Sequence, residues 1–114
     1  MIPIQEIQIS TSGNALHTIH IIQPSQSTTF GAEVIVYDPQ FNTSYSSLVP
    51  ISGSFPTASD AFEAAFKWVN GWLQAKSQTA SKINNPCNCE FLSATDQESI
   101  IRQCGIQITV EVNA

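Results

Sequence analysis

The stretch FPTASDAFEAAFKWVNGWLQAK, from Phe55 to Lys76, constrains the fold of this chain more than any other part of the sequence. Its apolar residues recur three and four positions apart, which is the period of one face of an α-helix. Thr57 is placed to cap the helix, and Asp60 follows in the first turn, where the helix dipole favours a carboxylate. The predicted buried stripe comprises Ala61, Phe62, Ala65, Phe66, Trp68, Val69, Trp72 and Leu73, and the opposite polar stripe comprises Asp60, Glu63, Lys67, Asn70 and Gln74. The pattern predicts an amphipathic helix that lies on a sheet.

Some residues of this helix predict local interactions. Glu63 precedes Lys67 by four positions, an order that stabilises a helix by a few tenths of a kcal/mol. Gly71 costs the helix up to about 1 kcal/mol, and we expect the close approach of a strand or a partner to compensate for it. Trp68 and Trp72 could stack on a ligand, but their helical spacing beside other apolar residues favours a place in the core.

Four segments before the helix predict strands. The runs IQEIQIS and LHTIHIIQ are rich in isoleucine and are separated by the turn-forming residues TSGNA, which predicts a β-hairpin. The run AEVIVYD, from Ala32 to Asp38, alternates like a third strand. The segment TSYSSLVPI contains Pro50, which lacks an N–H to donate, so a fourth strand there is expected at a sheet edge.

The remainder of the chain predicts a loop, a short helix and a final strand. The polar segment SQTASKINNP shows no period, and we expect a mobile loop around residues 77–94. A capping box from Thr95 to Glu98 and a glycine at Gly105 predict a short helix. In IQITVEV the apolar residues alternate strictly with polar ones, so the core is expected to include Ile106, Ile108, Val110 and Val112.

Together these elements predict one α+β domain over residues 1–114. Its expected architecture is an antiparallel sheet of four or five strands, with the main helix packed on one face and the short helix before the C-terminal strand. A chain of 114 residues is long enough for one core and too short for a second domain.

The charge content excludes one class of partner. Charged residues make up only 11% of the chain, and the net charge is −5. The basic residues are scattered, so the chain lacks the positive surface that binding to phosphates requires, and we expect no nucleic-acid partner. No apolar run is long enough to cross a bilayer, and the start MIPIQEIQIS does not resemble a secretory signal. We therefore expect no membrane partner and a cytoplasmic location.

The cysteines are the residues that most suggest chemistry. Cys87 and Cys89 lie one residue apart after a proline, and Cys104 is the third cysteine of the chain. With His17 or His20 they could form a zinc site of three cysteines and one histidine, but a single C-x-C pair is a weak zinc signal. The alternative is free thiols, with Cys104 buried in the core. We favour the free thiols and keep the three cysteines as weak candidates for metal ligands.

The two histidines are expected to act separately. Residues three apart on a strand point to opposite faces, so His17 should share a side with Ile19 and Ile21, and His20 with Leu16 and Ile22. We expect one of them to be partly buried with a hydrogen-bond partner. The sequence contains no G-x-S-x-G, glycine-rich phosphate loop or H-E-x-x-H motif, so no catalytic residue and no cofactor are predicted.

The segment GSFPTASDAFEAAFKWVNGWL, from Gly53 to Leu73, resembles the helix entry of HicB-type antitoxins. The resemblance implies a small partner-binding domain in which one helix lies on a β-sheet. The chain departs from that family in its long loop, its second short helix and its final strand, and it shows no appended DNA-binding domain. No functional residue is carried over.

These observations favour a small cytoplasmic protein-interaction or regulatory module that acts through a sheet edge or a helix face. The alternative is a metal-dependent sensor or a small enzyme that uses the loop of Cys87 and Cys89. We also expect a homodimer, because the chain has few charged residues to protect an exposed edge, and the terminal strand at a sheet edge could pair with a second copy. The alternative is that this strand pairs centrally with the first hairpin, which would leave the segment of Pro50 at the edge and allow a monomer.

Overall fold

A computed structural model describes residues 4–13, 15–24, 28–37, 46–85, 91–106, 108 and 110–112. The elements are β1 (Ile4–Thr11), β2 (Leu16–Ile22), β3 (Phe30–Tyr37), β4 (Ser46–Phe55), α1 (Ala58–Ala75), β5 (Ala80–Asn85), α2 (Ala94–Gln103) and β6 (Val110–Val112). The strands form one sheet in the order β4-β3-β2-β1-β5-β6. Neighbouring strands pair antiparallel, except that β6 pairs parallel to β5. The α+β fold class is confirmed, and the parallel β6 extends the predicted antiparallel sheet.

The core lies between one face of the sheet and the two helices. Alternate residues of β1, β2 and β3 are buried, as the period of two predicts. The helix α1 packs across β2, β3 and β4, and α2 packs against α1 and β6. Fully buried side chains from both layers meet there: Ile7, Ile9, Ile19, Ile21, Val34, Phe62, Phe66, Val69 and Leu73. Both helices therefore cover the same face of the sheet.

The main helix begins as the sequence predicts. The Thr57 hydroxyl accepts a hydrogen bond from the Asp60 N–H at 3.1 Å, which satisfies one of the free N–H groups at the helix start. The Lys67 ammonium lies 2.9 Å from the Glu63 carboxylate, as their spacing predicts. The predicted compensation at Gly71 by a close strand is wrong, because a Cβ there would meet no described atom within 4 Å.

The two tryptophans of α1 are less buried than predicted. Trp68 and Trp72 are half-buried at the margin of the core, whereas the phenylalanines of the same stripe are fully buried. The Trp72 ring meets the His17 ring edge-on, with 4.6 Å between the ring centroids. The indoles therefore cover the edge of the core, because a wide apolar stripe extends beyond the line of contact with the sheet.

The segment predicted as a loop contains the strand β5, so that prediction is wrong for Ala80–Asn85. Ala80, Ile83 and Asn85 are the buried residues of this strand. Only one of them is a large apolar residue, so the sequence shows no period of two. The strand forms by pairing with β1, where Ile83 lies opposite Ile9. Residues 86–90, with Cys87 and Cys89, lie outside the described residues.

The short helix starts earlier than predicted. Its cap is Ser93, whose hydroxyl accepts a hydrogen bond from the Asp96 N–H at 3.1 Å, and not Thr95. Both residues fit the same capping pattern, and the buried residues of the helix are Gln97, Ile100 and Ile101. The predicted left-handed glycine after the helix is confirmed, since Gly105 has a φ of 85°.

The final strand is shorter than predicted. The strand β6 spans Val110–Val112, and Ile106 and Ile108 precede it as half-buried residues that pack against the core. The side chains of Val110 and Val112 lie outside the described part of the chain. The strand β4 with Pro50 forms one edge of the sheet, as predicted. The other edge is β6, whose place at an edge or in the centre the sequence left open. Among the described residues, neither helix is long and apolar enough to cross a membrane.

Candidate interaction face

The face of the sheet that α1 and α2 leave uncovered is the open face. The strand alternation and the register place these residues on it: Ile4, Glu6, Gln8, Ser10, Leu16, Thr18, His20, Ile22, Gly31, Glu33, Ile35, Tyr37, Leu48, Pro50, Lys82 and Asn84. Within the described residues, the most exposed large apolar side chains are those of Ile4, Leu16 and Leu48, at 41%, 36% and 60% exposure. All of them belong to the open face.

Apolar residues occupy two separate ends of the open face. At one end Leu48 lies opposite Ile35, and Tyr37 lies opposite Leu16. We call these four residues the apolar corner. At the other end, Ile22 lies opposite Ile4 and next to Gly31. Contact of these apolar side chains with water is unfavourable, and covering them with another surface lowers the free energy.

A row of residues that includes three polar side chains crosses the sheet between these ends. Pro50, Glu33, His20 and Glu6 follow one another across β4, β3, β2 and β1. His20 Nε2 lies 3.1 Å from Glu6 Oε1 and donates a hydrogen bond to it when that nitrogen carries the proton. His20 Nδ1 lies 3.6 Å from Glu33 Oε1. We call Glu6, His20 and Glu33 the acidic belt.

The acidic belt is held by its neighbours. Gln8 Nε2 donates a hydrogen bond to Glu6 Oε2 at 3.2 Å, while Glu6 Oε1 faces the imidazole. The side chains of Glu6 and Glu33 remain 36% and 25% exposed, and that of His20 is 17% exposed. The carboxylates are therefore oriented but still reachable from outside the sheet.

The two histidines lie on opposite faces, as predicted. His17 is fully buried on the core side of β2, next to Trp72, and His20 belongs to the open face. Joint metal binding by this pair is therefore ruled out by the strand itself. The predicted partly buried histidine with a hydrogen-bond partner is His20.

Of the three cysteines, Cys104 is the one that lies within the described residues. It lies at the C-terminal cap of α2 and is half-buried against the core, where the prediction was full burial. Burial raises the pKa of the Cys104 thiol, and the nearby Lys67 ammonium opposes this rise. A thiol with a raised pKa stays protonated at neutral pH and is a weak nucleophile and metal ligand. Within the described ranges, no three His, Cys, Asp or Glu residues are grouped as a metal site requires.

A buried amide cluster lies on the core side of the sheet. Gln5, Asn85 and Gln97 come from β1, β5 and α2, and each is 1% exposed or less. Asn85 Nδ2 donates to Gln97 Oε1 at 3.0 Å, and Gln97 Nε2 donates to Asn85 Oδ1 at 2.9 Å. Gln5 bonds to the backbone of Phe91 and Leu92. The amides bond to one another and to backbone groups, which is the arrangement of a structural network.

Comparisons of the chain with protein-family models, with curated proteins and with solved structures gave no match. No family match therefore supports the resemblance of the segment around α1 to HicB-type antitoxins. Because a fold alone does not identify a function, the function is argued from the surfaces of the molecule.

Sequence reasoning placed His20 on the same side as Leu16 and Ile22, but it did not find the acidic belt. Glu6, His20 and Glu33 are far apart in the sequence, and only the strand register puts them in one row. A usable signal was present, since each of them occupies a polar position in an alternating run. Combining that alternation with the pairing of three strands would have revealed the belt.

Proposed function

We propose that the protein is a small cytoplasmic protein-interaction module that binds a partner protein through the open face. The observation that carries this proposal is that Ile4, Leu16 and Leu48, the exposed large apolar residues of the described chain, share this one face. Exposed apolar side chains gathered on one face, with polar groups between them, are typical of surfaces that bind other proteins. A cytoplasmic compartment suits the three cysteines, because it keeps thiols reduced.

Site-specific photo-cross-linking tests this function. We expect a photoreactive residue at Thr18, in the middle of the open face, to cross-link a defined partner protein in cells that express the protein naturally. The same residue at the exposed Gln74 of α1 is the matched control and should give no such product. The double substitution Leu16→Ser and Leu48→Ser should lower the yield at Thr18 about tenfold, since central apolar contacts supply most of the binding energy of an interface. Products from Gln74 but not from Thr18 would refute the open face as the binding surface.

We further propose that the protein forms a homodimer through the edge strand β6. The strand β6 pairs with β5 on one side and lies at the end of the sheet, so its outer N–H and C=O groups can pair with a second copy. The opposite edge, β4, contains Pro50, which discourages strand addition. A two-fold axis between two β6 strands would make the contact self-complementary and leave both open faces free.

Light scattering over a concentration series tests the dimer. We expect a mass near twice 12.4 kDa, and a return to 12.4 kDa in a Val110→Pro variant, because proline disfavours strand pairing by β6. Far-ultraviolet circular dichroism of the variant checks that the fold is retained. A mass of 12.4 kDa for the unmodified protein at every concentration contradicts the dimer, whatever the variant does.

A further inference from the structure

We infer that the partner of the open face is an amphipathic helix that carries a Lys or Arg side chain in the middle of its apolar surface. The inference rests on the proposed function and adds the charge and the shape of the partner to it. Three features carry it: the charge of the acidic belt, its place between two apolar ends, and the spacing of these groups along β2.

The negative charge of the acidic belt favours a partner that brings a cation. His20 lies between Glu6 and Glu33, at 3.1 Å and 3.6 Å, and offers at most one positive charge to two carboxylates. A partner that covers the open face removes water from both carboxylates, and a carboxylate deprived of water needs a cation or hydrogen-bond donors. A Lys or Arg on the partner supplies the missing positive charge and also selects against acidic partners.

Charge also disfavours a second copy of this chain on the open face. A two-fold contact centred on the belt would bring together the Glu6 and Glu33 carboxylates of both copies, in a chain whose net charge is already −5. Lys82 belongs to the open face, but it lies on β5 opposite Ser10, and Ser10 in turn lies opposite Leu16. It therefore accompanies the row of Leu16 and not the row of His20.

The spacing along β2 fits a helix. His20 is two residues from Ile22 and four residues from Leu16, which correspond to about 7 Å and 13 Å at a strand rise of about 3.3 Å per residue. At a rise of about 1.5 Å per residue, a helix covers these distances in about one turn and a little over two turns. A helix is also the element that covers the other face of the same sheet.

Titration with synthetic peptides tests the inference. The probe is a helical peptide whose apolar surface has a central Lys, with Leu one turn before it and Leu two turns after it. The matched peptide carries Glu in place of the Lys. We expect calorimetry to give a Kd about tenfold lower for the Lys peptide, and amide shifts in the NMR spectrum to concentrate in β1, β2 and β3.

A pair of double variants separates the acidic belt from overall charge. Glu6→Gln with Glu33→Gln should abolish most of the preference for the Lys peptide. Glu63→Gln with Glu98→Gln removes the same charge from the two helices and should leave the Kd within about twofold. The amide spectrum of each variant shows whether the fold is retained.

Each of four results would overturn the inference. Equal Kd values for the two peptides on the open face refute the cation and leave the proposed function standing. If both double variants lose the same affinity for the Lys peptide, net charge alone explains the preference, and the acidic belt does not. Failure of both peptides to bind refutes the helical partner, while cross-linking from Thr18 tests the proposed function independently. A dimer that the substitutions Leu16→Ser and Leu48→Ser dissociate would assign the face to a second copy.

Discussion

Phe66→Ala is expected to destabilise the protein by about 3–5 kcal/mol, which is the usual cost of truncating a fully buried aromatic side chain. The Phe66 ring is 0% exposed, and it stacks on the Phe62 ring with 5.8 Å between the ring centroids. It belongs to the face of α1 that packs across β2, β3 and β4. Its removal leaves a cavity between the helix and the sheet, and a large part of the stability of so small a domain is lost. Urea denaturation followed by circular dichroism measures the change.

Trp72→Ala is the matched comparison for Phe66→Ala on the same helix. Trp72 is half-buried, so its truncation should cost only about 2 kcal/mol despite the larger side chain. Similar losses for the two variants would mean that the margin of the core is packed as tightly as its centre. A larger loss for Trp72 would contradict the burial described for α1.

The helix and the first hairpin were predictable from the sequence because their periods are long and regular. The stripe that contains Phe62, Phe66 and Leu73 repeats over several turns, and its cap at Thr57 marks the start. The strands β1 and β2 are rich in isoleucine and are separated by turn-forming residues, so both strands follow from the sequence. Their buried sides do not follow from it, since Leu16 is exposed while Gln5 and His17 are buried. The pattern that identifies each of these elements lies within its own segment and does not depend on the remainder of the chain.

Elements that depend on distant partners were not predictable. The strand β5 contains one large apolar residue, Ile83, and exists because β1 offers it an edge on which to pair. Ser93 and Thr95 are equally good caps by local rules, so these rules do not select Ser93, the residue that caps α2. Non-local pairing decides the case of β5, and it leaves no period in a short segment.

The candidate site likewise has one feature that the sequence predicted and one that it did not. The opposite orientation of His17 and His20 follows from the strand period and was predicted. The acidic belt required the register of β1, β2 and β3, because the register alone brings Glu6 and Glu33 to either side of His20. Turn lengths and the pairing of whole strands fix a register, so single residues do not reveal it.

Gln5→Leu is the second substitution with a large expected effect, a destabilisation of about 2–5 kcal/mol. Gln5 Oε1 accepts hydrogen bonds from the N–H groups of Phe91 and Leu92 at 2.8 Å and 3.0 Å. Gln5 Nε2 donates to the Leu92 carbonyl at 2.9 Å and to Asn85 Oδ1 at 3.3 Å. Leucine fills a similar volume but accepts nothing, so the buried Leu92 N–H and the partly buried Phe91 N–H lose their partner. Urea denaturation measures the total loss.

Hydrogen exchange distinguishes the amide cluster from simple packing. In the Gln5→Leu variant the amides of Phe91 and Leu92 should exchange faster, because their acceptor has been removed. The acceptors that Gln97 uses, Asn85 Oδ1 and the Leu92 carbonyl, stay bonded to it at 2.9 Å and 3.1 Å, so α2 should remain docked on the sheet. Gln8→Leu, on the open face of the same strand, is the control and should change the stability by no more than about 0.5 kcal/mol. If the amides of Phe91 and Leu92 stay equally protected in the Gln5→Leu variant, apolar packing holds the segment before α2, and the amide cluster is not its anchor.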